Sequence, residues 1–174
     1  MKTINFFVCL TFLSLLSCIS KKNEILTLVS DGEKLVIEAL PAGNTTINRA
    51  KETFFHVSSF EYIGLDKEQI ASEETEVNVY QSTQMFTTFS EMYNSLGVDL
   101  NKLCFTQSQI INFCQKNSQY LCQGGPTFFL IKNNDKFLVV RIHSFANGLQ
   151  ASFDPFNDKN PLEDVSKYHL VVPA

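Results

Sequence analysis

The chain has no tryptophan among its 174 residues; its aromatic content is 16 phenylalanines and five tyrosines. A core built from it is largely phenyl and aliphatic. Basic residues are few, 14 against 18 acidic ones for a formal charge of -4, and they form no cluster of the kind that tracks a phosphate backbone. That argues against nucleic acid as a partner. No C-x-x-C occurs, so a thioredoxin-like redox centre or a zinc ribbon has no support. No G-x-S-x-G occurs either, which removes the nucleophile elbow of the α/β-hydrolases. At 44% hydrophobic and 18% charged, the composition is that of an ordinary globular domain. A chain of this length buries about two thirds of its unfolded surface, enough for one core without metal or disulfide staples.

The N-terminus has its own pattern. Lys2 precedes an apolar run from Phe6 to Leu16, broken by Thr11 and Ser14, and small Ser17 stands just before Cys18. This is the order of an export signal. The run is shorter than the about 20 residues of a membrane span. Leu15-Leu16-Ser17-Cys18 resembles the lipobox of bacterial lipoproteins. That resemblance implies an acylated Cys18 (diacylglyceryl, with a palmitate-type chain), cleavage after Ser17, and a mature protein beginning at Cys18. Residues 1–17 are then a signal peptide, 18–24 a tether and 25–174 a single α+β domain. The alternatives are a plain secretory signal or an uncleaved membrane anchor.

With Cys9 in the signal and Cys18 lipidated, the body keeps Cys104, Cys114 and Cys122. An odd number leaves at least one thiol, and the spacing fixes no pair. The simplest reading makes all three small buried hydrophobes.

Periodicity predicts the elements. Apolar residues 25–29 and 35–40 flank a turn-rich break and read as a hairpin. Residues 45–55 read as a short helix, 58–65 as extended, 66–76 as an acidic link and 77–80 as a brief strand. Ser82 is placed to cap a helix with Met85, Phe86, Phe89, Met92, Tyr93 and Leu96 on one face, stopped by Gly97. Thr106 and Gln109 form a capping box for a second helix with Ile110, Ile111, Phe113, Cys114 and Leu121, ended by Gly124-Gly125-Pro126. Residues 127–131 and 137–145 read as strands around Asn133-Asn134-Asp135, Asn147-Gly148 as a type I′ hairpin turn, and 168–172 as a last strand. That turn sets Ala146 opposite Leu149, Ser144 opposite Ala151 and Ile142 opposite Phe153. On the other side it pairs Phe145 with Gln150, His143 with Ser152 and Arg141 with Asp154. The expected fold is α+β, two amphipathic helices packed on an antiparallel sheet with a C-terminal β-meander.

The polar side of that hairpin gathers Arg141, His143, Ser152 and Asp154. A Ser, a His and an Asp together raise the idea of a hydrolase, with His143, Ser152 and Asp154 as weak catalytic candidates. A flat strand lacks the exposure and oxyanion donors such chemistry needs, so an Arg-Asp cross-strand pair is the plainer expectation. His56, His143 and His169 lack metal-ligand spacing, and residues 66–76 lack the order of a calcium loop. Gly124-Gly125 precedes a strand, unlike a phosphate cradle. Asn44-Thr45-Thr46 is a glycosylation sequon only in a eukaryotic secretory host. No cofactor or metal is expected.

Residues 103–113, 127–130 and Val171-Val172-Pro173 resemble a group of small uncharacterised bacterial proteins, with the likeness spanning 97–174. It implies a helix-then-sheet order and no activity. Here residues 120–126 depart from the group's Trp-Leu-Arg stretch, so a binding role for that turn does not carry over. The sequence thus leads to an exported lipoprotein of the cell envelope, anchored to membrane lipid and non-enzymatic. Its unknown partner is an envelope protein or a small ligand. A small hydrolase and a domain on an uncleaved anchor are the alternatives.

Overall fold

A computed structural model describes residues 26–30, 33–43, 45–58, 65, 70–82, 88–159 and 167–174. The signal segment, Cys18 and the tether lie outside the described residues, as do Met85, Phe86 and most of 58–69. The fold is mixed α+β with a mostly antiparallel sheet and few helices.

The strands are β1 (Leu26–Leu28), β2 (Leu35–Ile37), β3 (Phe54–Ser58), β4 (Thr75–Ser82), β5 (Cys104–Phe105), β6 (Pro126–Asn133), β7 (Lys136–Phe145), β8 (Gly148–Pro155) and β9 (His169–Pro173). They join one sheet in the order β1-β4-β9-β6-β7-β8-β3, with β2 also on β4 and β5 also on β6. Three pairings, β3 with β8 and β6 with both β5 and β9, are parallel. β6 reads as a near-continuous apolar run because it is central and buried on both faces. Alternation then sorts the core. Phe129 and Ile131 face α2 (Gln107–Lys116) with Val77, Val79, Leu138, Val140 and Ile142. Phe128 and Leu130 face α1 (Phe89–Asn94) with Val139, Tyr168 and Leu170.

The capping box of α2 forms as expected. Gln109 N donates to Thr106 Oγ1 at 3.2 Å, and Thr106 N donates to Gln109 Oε1 at 2.8 Å. The helix ends at Lys116, earlier than expected, with Asn117 N donating to Phe113 O, and Leu121 reaches the core from beyond it. α1 departs further. Ser82 does not cap it, because Ser82 ends β4, where it pairs with Leu26 and its N–H donates to Tyr168 O. Thr88 is the cap, in a box with Glu91, and leaves a helix of six residues. Phe89, Met92 and Tyr93 are its buried residues.

Three further expectations are corrected. Residues 25–40 form no hairpin: β1 and β2 lie end to end along β4, Leu28 opposite Tyr80 and Leu35 opposite Val77. The eight-residue β4 offers more edge than either short strand could fill, and between them Ser30 Oγ accepts from Val79 N at 3.1 Å. Residues 45–55 form two separate turns, closed by Ala50 N to Thr46 O and Phe54 N to Ala50 O, after which the chain enters β3. The 66–76 link is cut short by β4, which begins at Thr75. Phe residues suit a pleated surface better than a helix interior.

The β7–β8 turn also shifts. Phe145 pairs with Gly148, so Ala146 and Asn147 make the turn, and Asn147 lacks the positive φ that type I′ demands of both central residues. Gly148, at φ +126°, instead opens β8, and a Cβ there would stand 3.4 Å from the Phe55 ring. The offset is two residues, so each side chain keeps its expected face and changes its partner.

Candidate functional site

Because of that offset, Arg141 sits opposite Ser152, His143 opposite Gln150, and Val139 opposite Asp154. Arg141 and Asp154 still meet, diagonally, with Nε to Oδ2 at 3.1 Å. Both atoms are closed off from solvent, and their approach lacks the direction of a hydrogen bond. The guanidinium carbon also lies 5.9 Å from the Phe89 ring centre and 5.8 Å from that of Phe128. A cation between two π faces is held there as well as by its carboxylate. Burial raises the Asp154 carboxyl above its ordinary range, and Arg141 pulls it back.

His143 stacks on Phe145 at 5.8 Å and 20°, and Phe145 meets Phe55 edge-on at 6.3 Å. Phe55 and Phe145 are about half exposed, and His56 lies opposite Gln150 on the neighbouring strand. This end of the sheet therefore gathers two phenyl rings and two imidazoles from β3 and β7, the strands on either side of β8. Burial, then the Arg141 charge, lowers the His143 pKa. No hydrogen bond joins His143 to Ser152 or to Asp154 among the described residues. The three residues read together from the sequence share a face without forming a relay.

His169 lies apart on β9, where its Nδ1 bonds Tyr120 O at 2.7 Å and burial lowers its pKa. Among the described residues no group of three His, Cys, Asp or Glu side chains could hold a metal ion. The three body cysteines are free thiols, Cys114 and Cys122 buried and Cys104 half-buried. Burial pushes Cys104 up to about 11 and raises the other two, so none is a thiolate at neutral pH. The Gly124-Gly125 turn has a packing role: a Cβ at Gly125 would stand 2.0 Å from Lys167 O.

Two clefts were not read from the sequence. One, of about 250 Å³, lies where short α1 leaves β4 and β9 uncovered; Tyr80, Leu96, Val98 and Val172 line it, with Lys102. The other, of about 200 Å³, lies between α2 and Leu40, Pro41, Ala42, Gly43 and Thr45. Its polar side is Ser108, Asn112 and Gln115, spaced i, i+4 and i+7 on α2, a stripe legible in the sequence once the helix is accepted. Comparison with protein families, curated proteins and solved structures returned no match.

Proposed function

We propose that this chain is an exported protein held to the bacterial cell envelope by acyl groups on Cys18, and that its folded body is a non-enzymatic binding module. The export signal and the Leu15-Leu16-Ser17-Cys18 box support the anchor. Several acyl chains bind firmly because each buried methylene contributes about 0.8 kcal/mol. From Cys18 to the start of β1 the chain reaches at most about 30 Å, so the body works close to the lipid surface. Its partner is an envelope protein or a small ligand.

The observation that carries the binding half is the condition of the β7–β8 face. Asp154 is committed to Arg141, and His143 to the aromatic stack, so among the described residues no acid is hydrogen-bonded to the imidazole to orient it toward Ser152. A general base needs such an orienting group and a hydrogen bond to its nucleophile. Exposed aromatic rings beside polar groups are what a recognition surface carries.

The test of the anchor is intact mass of the membrane-fraction protein, wild type against Cys18→Ala. Loss of residues 1–17 with added acyl mass, both abolished by the substitution, is expected. An intact Met1 replaces the lipid with an uncleaved N-terminal anchor, and a cut but unacylated chain removes the anchor altogether. For the body, turnover in a hydrolase screen that His143→Ala abolishes would overturn the binding reading.

A further inference from the structure

The cleft between α2 and Leu40, Pro41, Ala42, Gly43 and Thr45 is defined by its lining. Among the described residues, none that lines it carries a charge. Thr45, Ser108, Asn112 and Gln115 supply hydroxyls and amides, while Leu40 and Ile111 supply aliphatic walls. At about 200 Å³ it holds the equivalent of about six or seven waters. A cleft with apolar walls and a few convergent polar groups is the usual form of a small-molecule site.

A second observation points to an occupant. Asn112 is 9% exposed, lines the cleft, and its Oδ1 has no hydrogen-bond partner. Thr46 Oγ1 and Ser72 Oγ are also buried without partners. Thr46 directly follows Thr45 of the wall, and Ser72 is bridged through its backbone to Leu40, another wall residue. Buried polar groups are almost always paired. Of these three, Asn112 is the one on the cleft wall, and an orphan amide there is what a bound donor would relieve.

We infer that this cleft binds a small uncharged molecule bearing hydroxyl or amide N–H donors, about the size of a monosaccharide or a short amide, with Ser108, Asn112 and Gln115 as its polar wall. Among the described lining residues an anion finds no cation and a cation no carboxylate, so either would lose hydration without a charged partner. The inference rests on the binding reading of the body and is independent of the anchor on Cys18.

Saturation-transfer NMR on the full chain, purified as the cell makes it, tests this with glucose and N-methylacetamide as neutral probes and gluconate and acetate as their anionic counterparts. Transfer to at least one neutral probe and to neither anion is expected, and Asn112→Leu should weaken the binding about tenfold, the loss expected for one well-made hydrogen bond. Circular dichroism checks that the variant folds; if it does not, Ser108→Ala and Gln115→Ala take its place with the same expectation. No transfer to either neutral probe means a cleft filled by water alone and overturns the inference. So does equal transfer to the anions, or binding indifferent to the folded variants. The mass measurement on Cys18 is unaffected by any of these results, so failure here and failure of the anchor are separable.

Discussion

On one face of the sheet a ten-residue helix with side-chain caps shares a core with Phe129, Val140 and Ile142; on the other a six-residue helix shares one with Phe128 and Val139, and then stops. The first face is finished by buried polar side chains that tie the helix to distant loops. Gln107 accepts from Ile47 N and donates to Leu65 O, and Gln109 donates to Thr75 Oγ1. The second is finished by charge and aromatic rings, with Arg141 between Phe89 and Phe128 and paired to Asp154. A helix too short to cover a sheet face leaves side chains to do so, and long amphipathic ones such as Arg can.

The contrast is most sharply tested in β6, where adjacent residues enter different cores. Phe129 packs against Phe105 and Phe113, and Phe129→Ala is expected to cost about 3–5 kcal/mol in urea unfolding. Phe128→Ala should fall at about 3 kcal/mol, the lower end of that range, because Arg141 can spread into the space. Losses in the reverse order would break the distinction between the faces.

Next in size is the ion pair. Asp154→Ala should cost about 1–2 kcal/mol, less than the about 3–5 of a fully buried pair, since the two side chains remain 30% and 25% exposed. Replacing both with leucine should recover most of the loss in the same assay. If Asp154→Ala is neutral, the aromatic rings alone hold Arg141.

Capping gives a smaller effect and separates the helices. Thr106→Ala should cost about 1 kcal/mol, because the cap serves a helix docked on the larger core. Thr88→Ala is expected at about 0.5 kcal/mol, since its box is exposed and serves six residues. Thermal unfolding of the two variants side by side checks the order.

The smallest effect concerns pH. His143 and His169 both have pKa values lowered by burial, so the unfolded chain binds protons more readily than the native one. Their neutral forms contribute stability that is present above the unfolded pKa of about 6.5 and lost as pH falls through the lower native values. Asp154, raised by burial, works in the opposite sense: its contribution is present below the unfolded carboxyl value and lost as pH rises through the native one. Stability should therefore drop as pH falls from 7.5 toward 5.5, and His143→Gln should flatten the slope. A slope unchanged in both His143→Gln and His169→Gln would assign it elsewhere.

What was legible in the sequence was local. The Thr106–Gln109 box needs only four consecutive residues, and it starts α2 where expected. Period-two alternation in β7 and β8 assigned each side chain to its face. The candidate cluster was legible to the same extent: Arg141, His143, Ser152 and Asp154 do share a face, but which of them touch depended on a two-residue register that backbone φ at the turn decides.

The helix start at Thr106, the apolar strand β6 and the faces of the C-terminal hairpins depend on neighbours a few residues away, and local pattern specifies them. Tertiary structure alone decided that β1 and β2 share an edge of β4, that β3 lies parallel to β8, and that Ser82 belongs to the sheet. It also decided that Asn112 lines a cleft together with Leu40 and Thr45. These are contacts between residues far apart in the chain, set by which exposed edge or surface the folded sheet leaves available, and no local pattern encodes that.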